Sequence, residues 1–268
     1  MKIGNREFDT KNHTYVMGIL NVTPDSFSDG GHYNQLDAAL RHAEQMITEG
    51  VDMIDIGGES TRPGYTKITD QEEIHRVVPV IEAIKGRFDI PVSLDTYKSA
   101  VAEAGVLAGA DMINDIWGLK YDAAMADVIA RHDVACCLMH NRENSEYQDF
   151  IKETMQELAD TVEIALSYGI DRDKIVLDPG VGFGKTYEHN LMVLNQLETF
   201  GTLGCPVLLG VSKKSVIGLT LDVPAKERGA ATIATTALAV MKGCAFVRVH
   251  DVRDNVHSIK MMEAILHG

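Results

Sequence analysis

Short, β-prone apolar runs recur eight times along this chain, and each leads into a polar residue suited to chemistry. Tyr15 to Leu20 meets Asn21, and Met53 to Ile56 meets Gly57-Gly58-Glu59-Ser60-Thr61-Arg62. Val92 to Leu94 leads to Asp95, Met112-Ile113 to Asn114-Asp115, and Ala135 to Met139 to His140. Ile175 to Leu177 precedes Asp178, Val207 to Val211 precedes Ser212-Lys213-Lys214, and Ala245 to Val249 holds Arg248 and meets His250. A helical stretch follows each run. That alternation predicts parallel strands joined by crossover helices, and eight such units fit a single (β/α)8 barrel domain over residues 1–268. The C-terminal strand ends of such a barrel share one face, where its chemistry resides.

Helical periodicity supports the crossovers. Leu36, Ala39, Leu40, Ala43 and Ile47 share one face, as do Met155, Leu158, Val162 and Ala165, while Val252, Val256, Ile259, Met262 and Ile265 predict a closing helix. The spacing asks for short helices after the third and fourth strands. Gly4-Asn5, between Lys2-Ile3 and Glu7-Phe8, predicts a hairpin capping the barrel bottom. Two loops, Thr23 to Gly31 and Gly57 to Thr69, are long and glycine-rich, which points to function. Glu44, Glu49, Glu72 and Glu73 read as solvated helix charges, and Trp117 as packing.

Charge narrows the partners. With 25 basic against 39 acidic residues, the net charge is −14, which argues against nucleic acid or an anionic membrane. An anionic ligand must therefore be held by local positive groups. Cys136, Cys137, Cys205 and Cys244 sit in or beside apolar runs without C-x-x-C spacing, as reduced core residues do. With no apolar leader and no run of membrane length, a cytoplasmic location is expected.

Asp95, Asn114 and Asp178 end three strands and are expected to face one pocket. Two carboxylates and an amide match the edge of a planar heterocycle carrying adjacent N–H groups. Arg248 and His250 alternate on the eighth strand and so share a face. With Asn21, Ser60, Thr61 and Arg62 they would form an anion site, and Asn21 with Asp25 or Asp29 would suit Mg²⁺. Lys213-Lys214-Ser215 places cations at a helix start, where the dipole does not favour them, so at least one lysine is expected to meet a ligand. Phe27, Pro63 and Phe183 would sandwich an aromatic ring. No Ser–His or Cys–His pair is evident for covalent catalysis. Gly180 to Thr186 ends in G-K-T, but Pro179 stands where a phosphate-binding loop needs glycine, so that motif is set aside.

These residues carry a resemblance. Asn21-Val22-Thr23-Pro24-Asp25-Ser26-Phe27-Ser28-Asp29-Gly30-Gly31 and Asp55-Ile56-Gly57-Gly58-Glu59-Ser60-Thr61-Arg62-Pro63-Gly64 resemble the two signature loops of dihydropteroate synthases. Ser93-Leu94-Asp95-Thr96, Asn114-Asp115, Asp178 to Lys185, Gly210 to Ser215 and Arg248 to Val252 match in order, with Lys213 where the family usually has arginine. The resemblance implies condensation of 6-hydroxymethyl-7,8-dihydropterin diphosphate with 4-aminobenzoate through a pterin cation, a transferase step of folate biosynthesis. It implies that Asp95, Asn114, Asp178 and Lys214 bind the pterin, and that Asn21, Thr61, Arg62, Arg248 and His250 hold the diphosphate with Mg²⁺ at Asn21. Phe27, Pro63, Phe183, Lys214 and Ser215 would shape the aminobenzoate site, which sulfonamides would enter. Asp95, Lys214, Arg248 and His250 would be catalytic, in a homodimer. A corrinoid-linked methyltransferase would share the fold and the pterin edge, but would not need the diphosphate set. A non-catalytic paralogue would be expected to have lost some of Asn21, Asp95, Lys214, Arg248 and His250, and all five are present.

Overall fold

The computed structural model describes residues 1–23, 32–59 and 67–268. Asp25, Phe27, Asp29, Ser60, Thr61, Arg62 and Pro63 lie outside the described residues, so the expectations placed on them are not addressed by the geometry below.

Two short strands, β1 (Lys2–Ile3) and β2 (Arg6–Glu7), pair antiparallel with Lys2 opposite Glu7 and Ile3 opposite Arg6. Gly4 makes the turn at φ +59°. The second arm starts one residue earlier than the sequence suggests, and Phe8 extends the pairing by exchanging main-chain hydrogen bonds with Met1 at 2.8 and 3.0 Å while its ring is buried in the core. Eight parallel strands follow: β3 (Tyr15–Asn21), β4 (Met53–Gly57), β5 (Val92–Asp95), β6 (Met112–Asp115), β7 (Ala135–Met139), β8 (Ile175–Asp178), β9 (Leu208–Leu209) and β10 (Phe246–Val249). They pair in the order β8-β7-β6-β5-β4-β3-β10-β9, and a parallel bridge from Leu177 to Val207 brings β8 back to the start of β9. The ring is a (β/α)8 barrel. β9 is the strand most shortened against expectation, and β10 starts one residue late at Phe246. Pro206 at the head of β9 has no N–H to donate, and beyond Leu209 the chain leaves the ladder.

The crossovers are α1 (His32–Thr48), α2 (Asp70–Arg87), α3 (Ser99–Leu107), α4 (Met125–His132), α5 (Phe150–Ser167), α6 (Tyr187–Asn195) with α7 (Leu197–Gly201), α8 (Ser215–Leu221) with α9 (Gly229–Met241), and α10 (Val252–His267). The two after β5 and β6 are the short ones, as the spacing asks. Thr69 caps α2 by accepting the Glu72 N–H at 3.2 Å, which fixes where the second long loop ends.

Period-2 alternation divides the strand residues between two environments. Ile54, Ile56, Leu94, Ile113, Leu138 and Leu177 join the main core with residues of the surrounding helices. Met17, Met53, Met112, Cys137, Val176 and Phe246 point into the barrel, where Ile3 and Phe8 close the bottom. Each of those two plugs is almost fully buried, worth roughly 1.5–3 kcal/mol in burial. All four cysteines are buried and free of disulfides, as expected of core residues. Among the described residues, no helix is long and apolar enough to cross a membrane.

Candidate active site

Above the apolar bottom layer, the inward positions turn polar. Asp55, two residues on from Met53 along β4, is fully buried and accepts from Arg248 Nε at 2.6 Å and from Asn114 Nδ2 at 3.3 Å. Arg248 extends its Nη2 to Asp95 Oδ2 at 2.6 Å. One guanidinium thus joins two carboxylates from different strands, with Asn114 attached to the first. Among the described residues, Asp55 Oδ1 and Asp95 Oδ1 have no hydrogen-bond partner. Buried acceptors left open in this way are costly unless something donates to them.

Burial pushes the Asp95 carboxyl up to about 7; Arg248 opposes that rise and the neighbouring Asp55 adds to it. Burial also works against the charge on Arg248, but Asp55 and Asp95 together hold it above its ordinary value. Two carboxyl groups thus share one guanidinium.

Asp178, Lys214 and Arg248 meet at Gly210. A methyl group there would lie 3.3 Å from Asp178 Oδ2, 3.8 Å from Lys214 Nζ and 4.0 Å from Arg248 Cβ, so glycine leaves room for these groups to converge. Asp178 accepts the Gly180 N–H through Oδ1 at 2.7 Å. Burial raises the Asp178 pKa, with Lys214 opposing. Lys214 is pushed down to about 8 by burial, against the pull of Asp178. Its ammonium donates to the Val181 carbonyl at 2.6 Å and stands 4.7 Å over the Phe183 ring. Phe183 packs against Tyr97, Ile116 and Met139 at the ends of three strands, with Trp117 in the same cluster. This apolar wall faces the polar floor.

His250 lies just beyond β10, with its Nδ1 2.9 Å from Ser212 Oγ, and its backbone N–H donates to the same oxygen at 3.2 Å. A Ser–His pair therefore exists, contrary to the sequence reading. Ser212 is buried, and its oxygen is occupied by the His250 main chain, so it serves to orient the imidazole. Asn21 ends β3, and its Oδ1 comes within 3.4 Å of where a Gly57 Cβ would lie, beside the Asp95 carboxylate.

The structure thus gathers Asn21, Asp95, Asn114, Asp178, Phe183, Lys214, Arg248 and His250 at one barrel mouth. Ser215 heads α8 and is exposed. The two lysines separate: Lys213 pairs with Asp251 at 2.8 Å, while Lys214 turns to the pocket. Asp115 is a local cap, accepting from Trp117 and Leu119 N–H groups.

Two features escape sequence reasoning. Asp55 is one; its signal was an acid at the inward parity of an otherwise apolar run. Glu73 is the other, and here the solvated reading is wrong: it is buried and pairs with Lys98 at 2.7 Å, while Lys98 also reaches Glu59 at 2.9 Å. Tyr97 donates to Glu59, and Lys98 and Glu59 respectively hold the Ile68 carbonyl and N–H. The network joins both described flanks of the second long loop, and no local pattern announces it.

The barrel, its polar floor and its apolar wall define a pterin-binding enzyme of the (β/α)8 class, and the family model described as "Pterin binding enzyme" matches residues 17–250. A dihydropteroate synthase from Clostridium beijerinckii is 55% identical over 267 residues, covering 99% of each chain. The crystal structure of the Clostridium difficile dihydropteroate synthase in the presence of pteroic acid superposes with a TM-score of 0.95 at 49% identity, covering 98% of this chain and 100% of that one. A Yersinia pestis dihydropteroate synthase in complex with a sulfonamide drug gives 0.93 at 40% identity, covering 100% and 99%. The chain belongs to the dihydropteroate synthases, transferases of folate biosynthesis.

Proposed function

We propose that this chain condenses 6-hydroxymethyl-7,8-dihydropterin diphosphate with 4-aminobenzoate, giving 7,8-dihydropteroate and diphosphate. The observation that carries this reading is the polar floor, in which the open acceptors of Asp55 and Asp95 lie beside the donors of Asn114 and Arg248, with Asp178 and Lys214 converging next to them. A pterin edge presents the complementary N–H and carbonyl groups. Asp95, Asn114, Asp178 and Lys214 bind the pterin in this scheme. Arg248 and His250, with Asn21, Thr61 and Arg62, hold the diphosphate. Phe183, Lys214 and Ser215, with Phe27 and Pro63, shape the aminobenzoate site.

An aryl amine is a weak nucleophile, so departure of diphosphate before attack suits the site. The C–O bond to diphosphate breaks, and the cation left at the exocyclic methylene spreads into the pterin ring. Asp95, Asp55 and Asp178 stabilise it electrostatically, while Arg248 and His250 stabilise the leaving anion. The amine nitrogen then bonds to the methylene and its surplus proton passes to solvent water. Asn21 contributes one amide oxygen, and among the described residues no cluster of three or more His, Cys, Asp or Glu side chains suits a metal. One amide oxygen suits Mg²⁺ carried on the diphosphate, which takes few protein ligands. Mg²⁺ held there supplies charge neutralisation for the leaving group.

The test is turnover with both substrates, with and without Mg²⁺, following diphosphate and dihydropteroate together. Stoichiometric release of both supports the reading; pterin binding without diphosphate release sinks it. We further propose one pterin-binding barrel domain over 1–268, a cytoplasmic location and a homodimer. Exposed Leu219, Leu221, Met241, Met261 and Ile265 on α8, α9 and α10 support the last, which sedimentation tests.

A further inference from the structure

The motif set aside as a false phosphate loop is a turn held by side chains along its whole length. From Gly180 to Gly184, every residue has a main-chain group held by a side chain. Asp178 accepts the Gly180 N–H at 2.7 Å, Lys214 donates to the Val181 carbonyl at 2.6 Å, and Asn190 accepts the Gly182 N–H at 2.7 Å. Lys185 donates to the Phe183 carbonyl at 3.0 Å and Tyr147 to the Gly184 carbonyl at 2.8 Å. The three glycines take φ of +73°, +87° and +54°. At Gly180 and Gly184 a side chain would strike the turn after β7: a Cβ would come 1.9 Å from the His140 carbonyl oxygen and 2.5 Å from that of Arg142. The two turns are therefore in main-chain contact.

Lys185 joins them. Its Nζ lies 2.8 Å from His140 Nδ1 as well as 3.0 Å from the Phe183 carbonyl. His140 is fully buried, with Nε2 3.2 Å from Glu157 Oε2. Burial and the facing cations Lys185, Lys120 and Arg142 push the imidazole down to about 2, so it stays neutral and Nδ1 accepts from the lysine. Burial brings Lys185 itself down to about 7, but its amine donates in either charge state. The Phe183 N–H donates to the Gly180 carbonyl at 3.1 Å. The Phe183 carbonyl is held by Lys185, and its ring carries the Lys214 ammonium on one face.

We propose that Lys185, oriented by His140, is a positioning residue for the aromatic co-substrate: it fixes the Phe183 peptide and so the ring that walls the aminobenzoate site. The proposal rests on the reading that Phe183 borders that site. Lys185 touches neither substrate in this scheme and acts through Phe183.

Steady-state kinetics of the full chain, varying each substrate in turn, test it with Lys185→Met, Phe183→Leu and the double variant. Lys185→Met is expected to raise the aminobenzoate KM about tenfold, the size of one lost apolar contact in a binding site. The KM for the pterin diphosphate and kcat should stay within about twofold, and in the Phe183→Leu background the lysine change should add nothing further. An unchanged aminobenzoate KM, an equal rise in both KM values with a lowered Tm, or full additivity in the double variant overturns the proposal. If Phe183→Leu alone leaves the aminobenzoate KM unmoved, the subsite reading has failed instead. His140→Leu and His140→Asn probe the same bond without touching the lysine. Asn restores an acceptor and should return the KM towards wild type, whereas Leu should reproduce the Lys185→Met effect; no difference between them refutes the relay.

Discussion

Replacing Asp55 with Asn tests the electrostatics of the floor directly. Asp55 and Asp95 accept from Nε and Nη2 of the same guanidinium, each at 2.6 Å. Their carboxylates therefore stand roughly 6 Å apart, and at an effective dielectric near 20 they repel by about 3 kcal/mol, equivalent to about two pH units. Asn is isosteric and still accepts from Arg248, so the guanidinium keeps its place while the repulsion disappears. Asp95 has a raised pKa of about 7, so its ionised, pterin-accepting form is lost as the pH falls through that value. The acid limb of kcat/KM for the pterin diphosphate, which reports the free enzyme, should therefore move from about 7 to about 5 in Asp55→Asn. Stability supplies a second readout. The unfolded chain releases this proton near 3.8, while the folded chain keeps it to about 7, so folding free energy declines as the pH rises across that window. Asp55→Asn should narrow the window, as measured by urea unfolding at a series of pH values. An acid limb that does not move, together with an unchanged stability profile, would refute the coupling.

Three further outcomes follow from the same geometry. Gly180→Ala puts a Cβ against the His140 carbonyl at φ +73°, and thermal unfolding should show a loss of at least about 2 kcal/mol; a neutral Tm contradicts the turn contact. Lys98→Met leaves Glu59 and Glu73 buried without their cation and should cost roughly 3–5 kcal/mol in denaturant titration, whereas Tyr97→Phe, which removes only a hydroxyl donor, should cost less, about 1.5–3 kcal/mol. Sulfonamides should inhibit competitively against 4-aminobenzoate, and calorimetry should show little heat for aminobenzoate alone but clear binding once pterin and diphosphate are present; inhibition that aminobenzoate does not relieve would mean the aromatic site is misplaced.

Much of this molecule follows from local pattern. The eight apolar runs, their period-2 alternation and the short third and fourth crossovers are properties of neighbouring residues, and they suffice for a barrel with Asn21, Asp95, Asn114, Asp178 and His250 at one mouth. The hairpin turn was legible too, because Gly4 and Asn5 are local signals.

Partnership is what only the closed barrel decided. Arg248 meets Asp55 and Asp95 across 193 and 153 residues of chain, and Lys185 meets His140 across 45. A sequence window cannot distinguish a solvated glutamate on a helix from one packed over a buried lysine, and so Glu73 was misread. The same holds for Ser212 and His250, which are ordinary strand-end residues until β9 and β10 lie side by side. The physical reason is common to all of them. Side-chain direction is set by local backbone geometry, so sequence reveals which residues face inward. Desolvation, charge coupling and hydrogen-bond pairing depend on what lies opposite, and that is fixed only when distant strands share one enclosed, low-dielectric interior.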